Sequence, residues 1–383
     1  MKYIEEEPVD VVIKYIDLSD KTLNRTGIHQ IKKDEDHEEL RYCIRSIFEN
    51  IPWFRKIIIV MPNNKVKYFK SPEKIKEKII YIKDKDVIGF DTASNLNFHL
   101  RLWNLSQFKV SENIILMDDD YFIGKPIKKT DFFHYDKNLK KVLPNVVSVD
   151  FRKLNKKNIY KEYESYFALK DNIDPHTANG WKMHTLNCFK LLLDNYKEPL
   201  IDAGFTHNAI PLNIFDVKEI FDLIKDKYIF ANEVLYSKIR TVYDIQFQTF
   251  YNAFALNIKK RKAHSIPRRF IELKNLRRQD DLDIELFVIN TSGENNYTEH
   301  NFENLKTMLE FKFRNPTKYE TIENEIDIIN IKSILIIISI NIIVYISIIY
   351  VLTLYNINFK VKLLKFRKIS NSDEKNCLNI NNS

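Results

Sequence analysis

The residues in this chain best suited to chemistry are three adjacent carboxylates, Asp118, Asp119 and Asp120, placed directly after the apolar run Ile114-Ile115-Leu116-Met117. Such a run reads as a strand buried on both faces, and Gly124-Lys125-Pro126 then breaks the backbone. Three like charges at the end of a buried strand repel one another. A hard divalent cation carrying a diphosphate relieves that repulsion, because Mg²⁺ takes oxygen ligands, usually one or two carboxylates plus substrate phosphates. The competing reading is a solvated acidic turn. A second acidic strand end, Asp17 and Asp20, follows the apolar stretch 9–16. Ligands of open α/β sheets sit at the carboxyl ends of strands, so two acidic strand ends on one sheet edge favour a site over a turn.

The elements that must position these residues alternate. Strands are expected over 9–16, 56–61 and 79–82, before the acidic strand itself. Helical spacing marks 38–49, where Leu40, Ile44, Ile47 and Phe48 share a face and Arg41 and Arg45 stand four apart; a further helix is expected over 94–103. This order predicts an α/β core with a largely parallel sheet and helical insertions. Farther on, 181–196, 217–229 and 242–256 read as helices, and 146–149 and 286–289 as short strands. The aromatics Tyr243, Phe247, Phe250, Tyr251 and Phe254 form a helical stripe, which we read as core.

The chain has 383 residues, 44% hydrophobic and 13% aromatic, enough for one large or two ordinary folded domains. Only 6 glycines are present, and none completes a dinucleotide-binding or P-loop pattern. Three scattered cysteines, Cys43, Cys188 and Cys377, give neither a disulfide framework nor a zinc spacing. The net charge of +8 is concentrated in two places, 259–278 and the tail from Ile357 onward, and the remainder is slightly acidic. No nucleic-acid surface is expected. The run Lys259 to Arg269 is read as a solvated loop, with an anionic acceptor or membrane headgroups as alternatives.

Ser333 to Tyr355 carries no charge and is long enough to cross a bilayer as a helix. Lys360, Lys362, Lys365, Arg367 and Lys368 follow it, whereas Glu320, Glu323, Glu325 and Asp327 precede it. The positive-inside rule puts the tail in the cytosol and the body in an endomembrane lumen (Golgi or endoplasmic reticulum) or outside the cell. The opening residues show no signal-peptide pattern, so an incomplete start, an internal signal or a cytosolic, tail-anchored body are the alternatives. Triplets for N-glycosylation at Asn24, Asn290 and Asn296 fit a lumen.

Four stretches together resemble the Stealth family of sugar-1-phosphate transferases, which includes bacterial capsular polysaccharide phosphotransferases and the lysosomal-enzyme N-acetylglucosamine-1-phosphotransferase. They are P-V-D-V-V-I-K-Y-I-D-L-S-D (8–20); E-L-R-Y-C-I-R-S-I-F-E-N-I-P-W-F-R-K-I-I-I-V (39–60), continuing into the acidic strand and Asp131-Phe132-Phe133; T-H-N-A-I-P (206–211) with S-K-I-R-T-V-Y-D-I-Q-F (237–247); and L-F-V-I-N-T-S-G-E-N-N (286–296) with F-R-N-P-T-K-Y-E (313–320). The resemblance implies a nucleotide-sugar-transferase-like fold over 1–325; the apolar segment and the charges after it give a transmembrane helix over 331–356 and a basic tail over 357–383. The resemblance also implies a UDP-sugar donor, Mg²⁺ or Mn²⁺, a glycan or glycoprotein acceptor, and transfer of a sugar-1-phosphate with release of UMP. A glycosyltransferase releasing UDP, or a non-catalytic binding protein, are the alternatives.

By the same resemblance Asp119 and Asp120 fall on the acid pair that binds metal and diphosphate, and Asp118, from the same strand end, is a metal candidate with them. His207 is the general base, and Arg240 faces the transferred phosphate. Asp17, Asp20, Arg45, Asn97, Asp244 and Asn290 bind substrate. Taken alone, His207 reads as an ordinary hydrogen-bonded histidine and Arg240 as a surface or salt-bridging residue; the family pattern reverses both. The chain departs from that pattern in three places. Asn97 stands where a glutamate is expected, Met61-Pro62-Asn63-Asn64 replaces a polar turn, and Thr291 replaces an aspartate.

Overall fold

In the computed structural model the described residues are 2–16, 38–62, 66, 68–70, 76–148, 150–196, 200–204, 207–290, 297–321, 338–356, 360 and 362. Asp17, Asp20 and Thr291 lie outside them. The chain divides into two compact units, Met1–Glu320 and Thr321–Ser383.

The first unit is built on a five-stranded sheet. Strands β1 (Val9–Lys14), β2 (Ile57–Met61), β3 (Ile79–Lys83) and β4 (Asn113–Asp118) are mutually parallel. After β5 (Tyr121–Ile123), which lies in another sheet, β6 (Ile210–Asn213) pairs antiparallel with β4. The order across the sheet is β6-β4-β1-β2-β3. β2 is apolar throughout and β1 and β4 carry long apolar runs because both of their faces are covered; Asp10 in β1 is buried against Arg55. Alternation sends Val11, Ile13, Ile57, Ile59, Ile115 and Met117 into the core on one side of the sheet. Val12, Ile58, Val60, Ile114 and Leu116 enter the core on the other.

The helix Glu39–Asn50 serves the first core, through Leu40, Cys43, Ile44 and Ile47. The helices Ala178–Asn195, Ile214–Lys227 and Phe247–Asn257 serve the second. The aromatic stripe is core as read, with Phe247, Phe250, Tyr251 and Phe254 buried. The helix carrying it starts only at Phe247, because Thr241 to Gln246 form a turn and an extended lead-in that wrap the preceding helices. The helix expected over 94–103 is likewise shorter, Asn95–His99, followed by a 3₁₀ stretch over Leu102–Phe108. Arg101 intervenes there, and its guanidinium reaches away to Asn97 and to the Leu235 carbonyl.

A second sheet joins β5 to β7 (Arg268–Glu272) and β8 (Leu286–Asn290) in the order β7-β8-β5. The acidic turn is therefore the crossing point between two sheets, with Asp118 ending β4 and Tyr121 starting β5. Gly124 is required where β5 leaves. A Cβ there would stand 2.3 Å from the Ile284 carbonyl oxygen and 2.9 Å from the Phe287 ring.

The basic run beginning at Lys259 is not a solvated loop throughout. Arg261 is buried, and its Nη2 donates to both carboxylate oxygens of Asp216 at 3.0 and 2.7 Å. Lys259 pairs with Glu219 at 2.6 Å. These cations pin the segment after Phe247–Asn257 to the helix Ile214–Lys227, a use that composition does not reveal. In the second unit, the described helix Ile338–Asn356 is long and apolar enough to cross a membrane, with a mean hydropathy of 2.1.

Candidate active site

Topology brings the chemistry to one edge. Lys14 pairs in register with Asp118, so parallel strands β1 and β4 end side by side. Because β6 is antiparallel to β4, it must enter the sheet from the edge where β4 leaves; Ile210 pairs with Leu116. His207, three residues before β6, is thus delivered beside Asp118. A cavity of about 120 Å³ opens there, lined among others by Asp118, Tyr121, Trp181, His207, Arg240 and Asp244.

A hydrogen-bond chain through Tyr121 to Asp118 defines the state of His207. Its Nδ1 lies 3.3 Å from the Tyr121 hydroxyl, which is also hydrogen-bonded to the Asp118 carboxylate. An ionised carboxylate only accepts, so Tyr121 donates to Asp118, and its oxygen accepts from His207 Nδ1–H. That chain leaves the lone pair on Nε2, the requirement for a base. Burial pushes the imidazole down to about 4, so it is neutral at pH 7. Phe270 packs on the ring at 5.3 Å between centroids.

The acidic turn is partly buried, and its charges oppose one another. Burial pushes the Asp118 carboxyl up to about 6, against the pull of Tyr121 and Lys14. Asp120 is raised well above the ordinary range by burial and by the charges of Asp119, Asp118 and Glu39. Among the described residues no three histidine, cysteine or acidic side chains converge closely enough to cage a metal ion. The donor set suits a hard cation that takes one or two carboxylates from the turn and its remaining oxygens from a phosphate and water.

The opposite wall comes from the segment between the helices Ala231–Leu235 and Phe247–Asn257. The helix Ala178–Asn195 holds it. His184 Nε2 donates to the Thr241 carbonyl at 2.7 Å, and Asn187 Nδ2 donates to the carbonyls of Val242 and Asp244 at 3.0 and 2.9 Å. One turn before His184, the Trp181 ring lies 4.5 Å from the Arg240 guanidinium. Asp244 accepts from Thr241 Oγ1 at 2.9 Å, and burial pushes its carboxyl up to about 7. His99 stacks on Phe247 at the cavity floor.

Of the residues singled out in the sequence, Asp118, His207, Arg240 and Asp244 line this cavity. Asp119 and Asp120 sit in the adjoining turn. Three others are placed elsewhere. Arg45, expected at the substrate, is buried, and its Nη2 lies 2.6 Å from Glu320 while Nη1 donates to the Phe313 carbonyl. Its fork is consumed by the fold. Asn97 is fully buried behind the cavity, bonded to Ser237 and Arg101. Asn290 ends β8, paired with Glu272 in the second sheet. Tyr121, Trp181 and His184 were not singled out. Tyr121 had a signal, since it follows the acidic triplet at once. Trp181 and His184 stand three apart on one helix, but nothing in that spacing tells a supporting pair from ordinary packing.

The described first unit is an α/β structure on a largely parallel sheet, with its cavity at the carboxyl edge. Residues 33–141 match the model of Stealth protein CR2, conserved region 2. The chain therefore carries conserved region 2 of the Stealth proteins, the family its sequence resembles. It is 26% identical over 267 residues to the capsular polysaccharide phosphotransferase fcs1 of Haemophilus influenzae, covering 66% of each chain. It is 27% identical over 269 residues to the capsular polysaccharide phosphotransferase of Actinobacillus suis, covering 64% of each. The chain thus spans just under two thirds of the length of these relatives. Among solved structures it is similar to a galactosyltransferase in complex with donor and acceptor sugar analogues, at 9% identity and a TM-score of 0.38, covering 81% of this chain and 96% of that one. That score is too low to bear on the reading of the site.

Proposed function

We propose that this chain transfers a sugar-1-phosphate, N-acetylglucosamine-1-phosphate in the first instance, from a UDP-sugar to a hydroxyl of a glycan acceptor. The observation that carries the reading is the convergence of a neutral, oriented imidazole, an acidic strand end and a guanidinium in one cavity. The similarity to capsular polysaccharide phosphotransferases supports the class of reaction and of acceptor.

In this reading the acceptor hydroxyl gives its proton to Nε2 of His207 as its oxygen bonds to the β-phosphorus. The bond from that phosphorus to the bridging oxygen breaks, and UMP leaves with the electron pair. The C1–oxygen bond of the sugar stays intact, so the product is a phosphodiester. Tyr121 and Asp118 orient the imidazole and disperse the charge it gains. Arg240, stacked on Trp181, meets the charge on the transferred phosphoryl group. Asp118, Asp119 and Asp120 would hold Mg²⁺ or Mn²⁺, whose chemistry is to neutralise diphosphate charge. The helix Ile338–Asn356 would anchor the protein, with the basic tail cytosolic and the body lumenal or extracellular.

The test is the identity of the nucleotide product. Full-length protein in detergent, supplied with UDP-N-acetylglucosamine, Mn²⁺ and a mannose-rich or capsular oligosaccharide, is expected to release UMP. Release should vanish in Asp119→Ala and His207→Ala. UDP in place of UMP would overturn the mechanism in favour of glycosyl transfer.

A further inference from the structure

We infer that Asn97 is a positioning residue for Arg240: it fastens the loop that carries the guanidinium. The inference deepens the proposed function and rests on it for the role of Arg240. Asn97 is fully buried, on the short helix Asn95–His99. Its Nδ2 donates to the Ser237 carbonyl at 2.7 Å, and its Oδ1 accepts from Arg101 Nη1 at 2.9 Å. The amide cannot be turned over, because a carbonyl only accepts and a guanidinium only donates.

Ser237 is the middle of a strap. Thr92 Oγ1 donates to the same carbonyl at 3.0 Å, Ala93 N donates to the Lys238 carbonyl at 2.8 Å, and Arg101 Nη2 donates to the Leu235 carbonyl at 2.6 Å. Arg101 is itself boxed by the rings of Phe90, Phe221 and Tyr236, at 5.0, 5.3 and 5.6 Å. The carbonyls of Leu235, Ser237 and Lys238 are therefore drawn towards residues 92–101, and the chain runs from there into Arg240. Beyond Arg240, His184 and Asn187 take over at Thr241, Val242 and Asp244. The guanidinium hangs between two fixed supports, and Asn97 joins three parts of the first: its own helix, the Ser237 carbonyl and Arg101.

The side chain at this position must donate on one side and accept on the other. A carboxylate satisfies Arg101 but turns an acceptor against the Ser237 oxygen, in a place too buried for water to intervene. Asparagine in place of the expected glutamate is, in this geometry, what the strap requires.

Asn97→Asp keeps the shape and the Arg101 contact and removes only the donor. In the full chain, hydrogen exchange of backbone amides in 236–242 is expected to accelerate about 10- to 100-fold, while amides of β1 and β4 keep their wild-type rates. With UDP-N-acetylglucosamine, kcat for UMP release is expected to fall by about tenfold or more with donor KM little changed. Unchanged exchange in 236–242, or acceleration shared by β1 and β4, would overturn the inference. Asn97→Ala, which removes the donor without setting a carboxylate against the Ser237 oxygen, should accelerate the same segment at least as much; wild-type rates in Asn97→Ala would count against the donor as the holding contact. Arg240→Ala separates the two layers. If it leaves UMP release intact, the reading of Arg240 falls, whereas the exchange pattern still decides whether Asn97 holds the loop.

Discussion

Two arginines were candidates for the same kind of work, and the fold treats them oppositely. Arg45 is enclosed with Glu320, whose carboxylate also accepts from Arg41 Nε at 2.8 Å and from the Thr317 amide at 2.8 Å. Those partners hold the Glu320 carboxyl below its ordinary range despite burial. Arg240 is stacked on Trp181 at the wall of a cavity, and the buried carboxyl nearest to it in sequence, Asp244, is pushed up to about 7. Where donors saturate a carboxylate, the pair belongs to the fold. Where burial goes uncompensated beside an open cavity, charge is held in reserve for something that binds.

The comparison is broken most severely by exchanging the roles. Arg240→Ala should cut transfer by about 10²–10³-fold, as loss of one transition-state donor does, with thermal stability close to wild type. Arg45→Ala should leave Glu320 with Arg41 as its remaining cation and cost about 1.5–3 kcal/mol of stability, read by denaturant unfolding of the full chain. If Arg45→Ala is as stable as wild type, the closed pair is not structural. Next in size, Tyr121→Phe removes the link between Asp118 and His207 and should lower kcat by about tenfold without unfolding the protein. Wild-type turnover in that variant would remove the orienting chain.

The acid–base terms are smaller. Asp244 has a folded pKa raised above its unfolded value, so the native state holds a proton that the unfolded state has lost between about pH 4 and 7. Its contribution to stability therefore declines as pH rises through that window and is flat above it. Asp244→Asn should remove this slope in a series of denaturation curves, and a slope left unaltered would show that the carboxyl titrates normally. For His207, pushed down to about 4, the base is lost only as pH falls towards that value, so the acidic limb of kcat should lie near 4 and not near 6.5.

Much of the fold could be read from the sequence, because period and composition carry it. The doubly buried strands announced themselves as Ile and Val runs, and the order of strands and helices implied a parallel sheet. The acidic strand, His207 and Arg240 were readable as types, but their convergence was not. It depends on β6 running antiparallel, and no local pattern encodes that. Asn97 and Arg45 were misplaced for a related reason. A buried polar side chain and a site residue look alike in sequence, and only the partners distinguish them: the Ser237 carbonyl for one, Glu320 for the other. Arg261 repeats the lesson inside a basic run, where one cation of several is sunk against Asp216.

The most direct test of the central claim follows the phosphorus. A UDP-N-acetylglucosamine donor labelled with radioactive phosphorus at its β position, incubated with the full chain, Mn²⁺ and a glycan acceptor, marks which bond breaks. The account predicts that the label moves to the acceptor, as the phosphorus of a phosphodiester between the sugar C1 oxygen and the acceptor oxygen, and that His207→Ala and Arg240→Ala abolish the movement. Label that stays with the nucleotide while sugar appears on the acceptor would contradict it.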